Sequence, residues 1–418
     1  MAHDTALPVG SPALLDGETS AAKARKSALG RVVSIGMSRS YLDAVSGQPM
    51  HPAARAVLDG FADRAWADPE LLHHEGRVAA QIRQAARETV AIALNVSPQS
   101  VSFHARNGLA GLAICGAIHA AQSRGCRHPR VVMSAVERAT VRHAAESPAD
   151  VGEVTQISVT PTGALRVDEF RHAVTQREGE GVIAVVQAAN SELGTRQPLS
   201  EVIDICHAAN VPMVTDATGA LGLTNVPAGW SIMFADALTW AGPVGVGILV
   251  VADPSAWRPP VAHIRAGQGT APVDTADVLN AAGAAAALDA VVRESPAFAP
   301  LLDDLVARIR REVPLAIADV EVLGDPMNRL PHVVTFSCLY ADGERLASEL
   351  DRRGVAIGSG SACASNVGLP SHVLAAVGAL THGNVRISLP ITATDAHVEH
   401  LLTELPAAVA AVRSDAGI

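Results

Sequence analysis

Short apolar runs alternate with segments of helical spacing from about residue 40 to residue 250. The runs are rich in Val, Ile and Leu, and near-continuous apolar runs are typical of strands buried on both faces of a parallel sheet. We predict a short strand that ends near Asp43, then strands over 100–103, 130–133, 154–159, 182–187, 211–216, 235–240 and 246–252. We predict intervening helices over 75–95, 108–123, from 138, over 167–176 and over 199–209. The pattern indicates an α/β fold with a mostly parallel sheet between helices.

The last third of the chain has a different order of elements. A Pro- and Ala-rich stretch over 253–290 leads into a long Ala-rich helix that begins near Val278. The predicted elements after it are a helix over 299–313, strands over 320–323 and 332–337, a helix over 343–353, a short strand, a loop, a helix, a strand at 384–388 and a final helix. This order indicates a smaller α+β domain. The predicted parts of the chain are a flexible leader over 1–29, a large domain over 30–290 whose N-terminal segment contributes to the small domain, and a small C-terminal domain over 291–418.

Composition and charge restrict the class of protein. The chain has 418 residues, 49% of them hydrophobic, so it can bury a large core and is not disordered as a whole. Its net charge of −10 argues against non-specific binding of nucleic acid, which needs a basic face. The longest uncharged stretches, 107–123 and 237–252, contain Gly and polar residues and fall short of a membrane-spanning helix. We expect a soluble protein that binds neither nucleic acid nor membranes.

Cysteine and histidine usage points to a reducing compartment without a metal site. The five cysteines are few for this length, odd in number and contain no CxxC, which argues against a disulfide framework or a zinc cluster. The leader contains Asp4, Asp16 and Glu18 and lacks an apolar segment, so we expect no signal peptide and a cytoplasmic protein. His73 and His74 are adjacent on a predicted helix and lack an evident third ligand, so we predict no metal.

Lysine is confined to the predicted leader. Lys23 and Lys26 are the only lysines, and the other 30 of the 32 basic residues are arginine. From Gly30 to Ile418 the sequence contains no lysine. A mechanism that needs a buried lysine amine is therefore disfavoured.

The segment SGSACASNVGLPSHVLAAVG (359–378) places Cys363 in a Gly- and Ser-rich loop just before a predicted helix. Exposure and a nearby helix N-terminus lower the pKa of a thiol and open its sulfur to attack. The other four cysteines fall in helix or strand contexts, where cysteines are usually structural. Arg386 follows on a strand that ends near the loop, where a guanidinium can hold a carboxylate through two hydrogen bonds. We predict Cys363 as the catalytic nucleophile and Arg386 as a substrate-binding residue.

From about residue 40 to residue 412 the sequence resembles the cysteine desulfurases of the class V aminotransferase fold. The resemblance is carried by YLDAVSGQPMHPAARAVL, QAANSELGTRQPL, VPMVTDATGALG and SGSACAS, in the family's order and spacing. It implies a fold-type I homodimer with a mostly parallel seven-stranded sheet, and pyridoxal phosphate held on a lysine as an electron sink. At the matching positions it implies Cys363 as the sulfur-accepting nucleophile, Asp216 as the partner of the pyridine nitrogen and Asn190 as a substrate-binding residue. It also implies Thr275 as a phosphate contact given across the dimer interface.

The sequence departs from the family where the cofactor is held. The lysine loop falls on 238–245 (LTWAGPVG), about five residues short and without its His-Lys pair. The phosphate loop falls on 105–108 and now contains Arg106 and Asn107, and the histidine that stacks on the pyridine ring falls on Arg138. Because the anchor, the stacking ring and the phosphate loop are all changed, we expect no cofactor, or pyridoxal phosphate in a non-covalent form.

The two arginines leave two interpretations of the former cofactor pocket open. In the first, Arg106, Arg138 and Arg386 line a pocket that holds an anionic ligand or is filled by the guanidinium groups themselves. In the second, Arg106 and Arg138 are solvated or paired with Glu137 and Glu192.

Four functional hypotheses follow. The principal one is a cysteine desulfurase-like pseudoenzyme that has lost pyridoxal phosphate catalysis and transfers sulfur through a persulfide on Cys363. Its sulfur would come from an active desulfurase or a small-molecule persulfide. The second is a non-catalytic partner or regulator of an active desulfurase or a sulfur-acceptor protein. The third is an enzyme with altered chemistry in the arginine-lined pocket, and the fourth is residual desulfurase or lyase activity with non-covalent pyridoxal phosphate.

Overall fold

The computed structural model describes residues 39–148, 151–176, 181–260, 272–359, 371–381, 383–415 and 417. Seven strands form the larger sheet in the order β2-β8-β7-β6-β5-β3-β4. They are β2 (Val101–Ala105), β3 (Arg130–Ser134), β4 (Glu153–Ile157), β5 (Val182–Val185), β6 (Met213–Asp216), β7 (Ile232–Asp236) and β8 (Val246–Val251). The pairings from β4 to β7 are all parallel, and β8 is antiparallel to both β7 and β2. The prediction of a mostly parallel seven-stranded sheet is confirmed.

Successive residues of the central strands pack into different hydrophobic clusters. On β3, Val131 and Met133 share a cluster with residues of α3 (Leu109–Ser123), whereas Val132 shares one with residues of α2 (His74–Leu94) and α7 (Val278–Ala316). Side chains alternate between the two faces of a strand, so a strand covered on both faces must be apolar throughout. The remaining helices are α1 (Pro52–Phe61), α4 (Ala139–Glu146), α5 (Val167–Thr175), α6 (Leu199–Ala208), α8 (Gly343–Arg352), α9 (His372–Val377) and α10 (Asp395–Asp415).

A second sheet has five strands in the order β1-β11-β12-β10-β9. They are β1 (Ser40–Leu42), β9 (Val320–Val322), β10 (Val333–Cys338), β11 (Val355–Ser359) and β12 (Asn384–Ser388). Strand β1 is parallel to β11, and the other pairings are antiparallel. The first strand of the described chain, β1, therefore pairs with β11, which lies more than 300 residues later. The domain boundaries proposed from the sequence stay a prediction.

Helix α7 is continuous where the sequence suggested a break. We predicted a helix from Val278 and a separate one over 299–313, but a single helix of 39 residues contains Pro296, Pro300 and Pro314. Proline cannot donate to the carbonyl four residues earlier. At Pro296 that carbonyl belongs to Val292, and the Ser295 hydroxyl donates to it at 3.1 Å. The side chain thus replaces the missing backbone donor.

The strand predicted over 235–240 was placed too far along the chain. Strand β7 ends at Asp236, and a single 3₁₀ turn, Ala237–Trp240, follows it. The Asp236 side chain accepts a hydrogen bond from the Leu238 amide at 3.1 Å and so begins the turn. Ala241 ends the turn with φ of 60°, a left-handed conformation that costs a residue with a Cβ about 1 kcal/mol.

None of the helices in the described ranges combines the length and the apolar character needed to cross a membrane.

Candidate functional site

The candidate site lies at one edge of the larger sheet, where the parallel strands end. Asp216 is the last residue of β6 and Asp236 the last residue of β7, and both aspartates are buried. Strand β2 runs in the same direction as β7, because each is antiparallel to β8. Arg106, just after β2, therefore lies at the same edge, which is where ligands bind in open α/β sheets.

Arg138 pairs with Asp216 at the centre of this edge. The Arg138 Nε donates to Asp216 Oδ2 at 2.5 Å, and Nη2 donates to the Thr218 hydroxyl at 3.2 Å. The second carboxylate oxygen, Oδ1, accepts from the Thr218 amide at 2.9 Å. Asp216 is 1% exposed, so it is a buried carboxylate whose charge is balanced by a guanidinium.

Arg106 makes the matching pair with Asp236. Its Nε lies 2.6 Å from Asp236 Oδ2, while Oδ1 of the same carboxylate accepts from the Leu238 amide. Burial raises the pKa of Asp236, and the Leu238 hydrogen bond and the Arg106 guanidinium oppose that rise. The two arginines and the two aspartates give this edge no net charge.

The sequence left open whether Arg106 and Arg138 are solvated or paired with Glu137 and Glu192, and the structure pairs both arginines with aspartates. Glu137 is fully buried, and its Oε1 accepts from the Gln187 amide at 2.9 Å. Burial raises the pKa of Glu137 well above its ordinary value, and the neighbouring Asp216 charge acts in the same direction. Burial therefore favours the protonated form of this carboxyl, and the Arg138 charge opposes that effect.

The turn that follows β7, Ala237–Trp240, begins the stretch where the resemblance places the family's lysine loop, 238–245. Thr239 Oγ1 accepts from the Gly219 amide at 3.3 Å, and the Gln48 side chain donates to the Thr239 carbonyl at 2.6 Å. Trp240 is fully buried, and its Nε1 donates to the Ala284 carbonyl at 3.1 Å. Three hydrogen bonds to neighbouring segments therefore hold the turn in place.

The residues at this edge do not fit pyridoxal phosphate. The Arg138 guanidinium already occupies the carboxylate that would bind the pyridine nitrogen, Asp216. The sequence from Gly30 onwards has no lysine amine for a Schiff base. Arg106 and the exposed Asn107 stand in the loop before α3, where the resemblance places the phosphate. Partner, anchor and phosphate loop all disagree with the cofactor.

Asn190 and Thr275 are held by protein groups. Asn190 donates to the Val136 carbonyl at 2.8 Å and accepts from the amides of Glu192 and Leu193, so its side chain shapes the loop after β5. Thr275 lies beside the edge strand β2, where its hydroxyl is 3.2 Å from His104 Nδ1. A substrate or a phosphate would have to displace these contacts.

Arg386 lies on a strand of the second sheet, whereas the Arg138–Asp216 pair lies at the edge of the larger sheet. It is 2% exposed on β12, and its Nη2 donates to Asp43 Oδ1 at 2.9 Å and to the Ser46 hydroxyl at 3.1 Å. It also acts electrostatically on Glu192 and on the fully buried His332. Burial, with the Arg386 charge, lowers the pKa of His332 to about 3, so its ring is neutral.

Cys363 lies outside the described residues, and the structure describes the helix that follows it. Ser371 caps α9, and His372 Nε2 donates to the Glu137 carbonyl at 2.7 Å. Val373 and Leu374 pack in a cluster with Val136. The start of α9 is therefore fixed next to the residues that precede Arg138.

Burial suppresses the ionisation of three of the four described cysteines. It raises the pKa of Cys206 to about 12 and that of Cys338 to about 11, and it also raises the pKa of Cys115. A thiol needs its thiolate form to act as a nucleophile. These three side chains are therefore structural.

Within the described ranges, no three or more His, Cys, Asp or Glu side chains are grouped so that they could hold a metal ion. His73 has a local role, since its Nδ1 accepts from the Gly76 amide and caps α2.

Sequence reasoning missed Asp236 and Thr239 because it ran the strand through them. A polar residue at the end of a buried strand was the available signal, whereas Asp216 was named from the family resemblance. The misplaced strand end concealed it.

Comparisons with known proteins agree with the resemblance noted in the sequence. Residues 55–401 match the family model described as aminotransferase class-V. An IscS-like cysteine desulfurase of Mycobacterium tuberculosis is 31% identical over 389 residues, covering 90% of this chain and 97% of the relative. A cysteine desulfurase of Cereibacter sphaeroides is 31% identical over 388 residues, with the same shares covered.

Solved structures agree on the fold. A NifS-like protein superposes with a TM-score of 0.79 at 22% identity, covering 89% of this chain and all of that one. SspA, solved in complex with cysteine, has a TM-score of 0.69 at 20% identity and covers 85% of this chain. At these identities the likeness concerns the fold alone.

The Arg138–Asp216 pair predicts a strong coupling in stability. Arg138→Ala leaves the Asp216 carboxylate buried without its cation, and we expect a loss of about 2 kcal/mol in the free energy of unfolding, discounted for the partial exposure of Arg138. Adding Asp216→Asn should restore much of that loss, because the uncompensated charge is gone. Urea unfolding of the four proteins of the double-mutant cycle measures the coupling. Strictly additive effects would contradict the pairing.

The buried Glu192 carboxyl should make the free energy of unfolding depend on pH. Burial raises its pKa to about 7, against opposing effects of a hydrogen bond from Ser371 and of the Arg386 charge. The folded state then holds a proton that the unfolded state loses near pH 4.5, so ionisation destabilises the fold increasingly as pH rises from there through about 7. Glu192→Gln cannot ionise. We expect it to match the wild type near pH 4.5 and to exceed it by up to about 3 kcal/mol at pH 8. Unfolding curves that stay parallel across this range would show that Glu192 does not titrate there.

Proposed function

The chain belongs to the class-V aminotransferase family and is similar to cysteine desulfurases over nine-tenths of its length, and from that premise we propose that it transfers sulfur through Cys363 without pyridoxal phosphate. It would receive sulfur as a persulfide that another molecule has already made. The donor would be an active desulfurase or a small-molecule persulfide, and the recipient a sulfur-acceptor protein. We propose that it does so as a homodimer in the cytoplasm.

The Arg138–Asp216 pair is the observation that carries this proposal. In the family the chemistry that removes sulfur from cysteine belongs to the cofactor, which needs a partner for its ring nitrogen. Here that partner is bound to a guanidinium at 2.5 Å. The absence of lysine from Gly30 onwards supports the same conclusion from the sequence. The proposed sulfur transfer therefore does not use the cofactor.

The transfer itself needs only thiol chemistry. The Cys363 thiolate attacks the terminal sulfur of the donor persulfide, a new S–S bond forms on Cys363, and the S–S bond of the donor breaks. The donor leaves as a thiolate, and one sulfur atom has moved with no external oxidant or reductant. Transfer to the acceptor repeats the same exchange in the forward direction.

Cys363 differs in its surroundings from three of the four described cysteines. Burial raises the pKa of Cys206, Cys338 and Cys115, which keeps those thiols protonated. Cys126 is partly buried and is compared directly in the experiment below. Cys363 stands among Ser and Gly in the sequence, nine residues before the start of α9. We assign the nucleophile to Cys363 on this contrast.

Arg386 and Asn190 take no part in the proposed persulfide exchange. Both are committed to protein partners, and Arg386 would have to leave Asp43 to hold a substrate carboxylate. A persulfide exchange between thiols needs no carboxylate site. The pairing of Arg106 and Arg138 with aspartates likewise disfavours an anionic ligand at that edge.

Intact mass of the purified protein tests the proposal. After incubation with cysteine and an active desulfurase, we expect a gain of one sulfur atom that reductant removes. Cys363→Ser should abolish the gain, and Cys126→Ser, which changes a partly buried cysteine, should retain it. Each sample is run with and without reductant.

Two results would go against sulfur transfer. No gain in mass under any condition would favour the partner or regulator hypothesis, in which Cys363→Ser has no effect on binding an active desulfurase. A gain that persists in Cys363→Ser would assign the sulfur to another cysteine.

A further inference from the structure

A cavity of about 440 Å³ lies between the C-terminal end of α2, the segment that joins β6 to β7, and the middle of α7. Trp230 and Met233 line it near the start of β7, whose other end carries Asp236. The cavity therefore lies towards the edge of the larger sheet opposite the candidate site. Thr275, which the resemblance assigns to the dimer interface, is not one of its lining residues. Its volume is in the ordinary range of small-molecule pockets.

The cavity has an apolar floor and no charged wall. Leu221, Trp230 and Met233 lie buried at its floor, and the exposed Asn95 and Asn225 lie at its rim. Every described residue that lines it is uncharged. An ion that entered would lose its hydration without gaining a partner of opposite charge, which is costly. The lining therefore selects neutral molecules.

Trp230 brings an unused hydrogen-bond donor to this floor. The residue is 6% exposed, and among the described residues its Nε1 has no acceptor. The other two buried tryptophans, Trp240 and Trp257, donate to the carbonyls of Ala284 and Leu112, each at 3.1 Å. A buried indole N–H usually has such a partner. An acceptor on a bound molecule would supply the partner that the protein does not.

Trp230 also borders a second cavity, which differs in charge. Arg124, His207 and Asp253 line that second cavity. We call it the charged cavity, and the first one the uncharged cavity. Val292 lines the uncharged cavity and Arg124 the charged one, so substitutions at these two positions show which cavity a ligand occupies.

We propose that the uncharged cavity binds a neutral aromatic molecule that carries a hydrogen-bond acceptor, such as an aryl ketone, and that Trp230 donates to that acceptor. An aromatic ring suits the floor, because the indole ring and the Met233 thioether both make favourable contacts with aromatic groups. The acceptor satisfies the Trp230 N–H. The proposal is independent of sulfur transfer and of Cys363.

Binding of acetophenone tests the proposal on the full chain. Acetophenone and ethylbenzene are similar in size, and of the two only acetophenone has an acceptor. Ligand-observed NMR titrations give the affinity of each. We expect acetophenone to bind more tightly than ethylbenzene, and benzoate, which is charged, not to displace it.

Two variants locate the ligand. Trp230→Phe keeps a ring and loses the donor, so the preference for acetophenone over ethylbenzene should fall about fivefold, the ratio given by a hydrogen bond of about 1 kcal/mol. Val292→Phe places a larger side chain in the cavity and should weaken acetophenone binding at least about tenfold. The preference is a ratio within one protein, so it stays interpretable if Trp230→Phe changes the shape of the floor.

Two matched variants serve as controls. Trp257→Phe removes an indole N–H that already has a protein acceptor, and Arg124→Ala changes the charged cavity. Both should leave the acetophenone preference unchanged. No binding of acetophenone to the wild type would overturn the proposal. So would displacement by benzoate, an equal fall in Trp257→Phe, or binding that is lost in Arg124→Ala and kept in Val292→Phe.

Discussion

A buried carboxylate needs a cation or hydrogen-bond donors, and the carboxyl edge of the larger sheet depends on how Asp216 meets that need. Asp216 ends β6 with 1% of its surface exposed, and the strands on both sides are too apolar to offer a partner. Arg138 supplies both a charge and a donor from the loop after β3, and the Thr218 amide satisfies the second oxygen. The Asp216 carboxylate is thus paired within the protein, at the position where the resemblance places the partner of the cofactor ring nitrogen.

The rest of the edge follows the same rule of local compensation. Asp236 takes Arg106 as its cation and begins the turn that carries Thr239 and Trp240. Glu137 is buried beside the Arg138–Asp216 pair, and burial and the Asp216 charge both raise the pKa of its carboxyl. The two arginine–aspartate pairs balance their own charges at this edge, in a protein whose net charge is −10. This internal pairing disfavours the binding of a charged ligand there.

The strands could be predicted from the sequence because their cause is local. A strand covered on both faces must be apolar throughout, and the runs at 130–133 and 246–252 carry that signal directly. Asp216 was named from the family resemblance, and it lies at the end of such a run, 211–216. The partner of Arg138 could not be predicted in the same way, since Asp216 is 78 residues away and nearer acids offered plausible alternatives. The continuity of α7 could not be predicted because its three prolines indicate a break, and at Pro296 the replacement donor is a side chain, the Ser295 hydroxyl, which donates to the Val292 carbonyl.

The central claim, that Arg138 occupies the Asp216 carboxylate that would bind the cofactor ring, is tested most directly by pyridoxal phosphate binding. Lys23→Arg with Lys26→Arg gives a chain without lysine side chains, which removes Schiff-base formation at the leader. This protein is incubated with excess pyridoxal phosphate, desalted, and its visible absorbance is compared with the protein concentration. We predict no stoichiometric cofactor band. A band at one equivalent per chain that survives desalting would contradict the account.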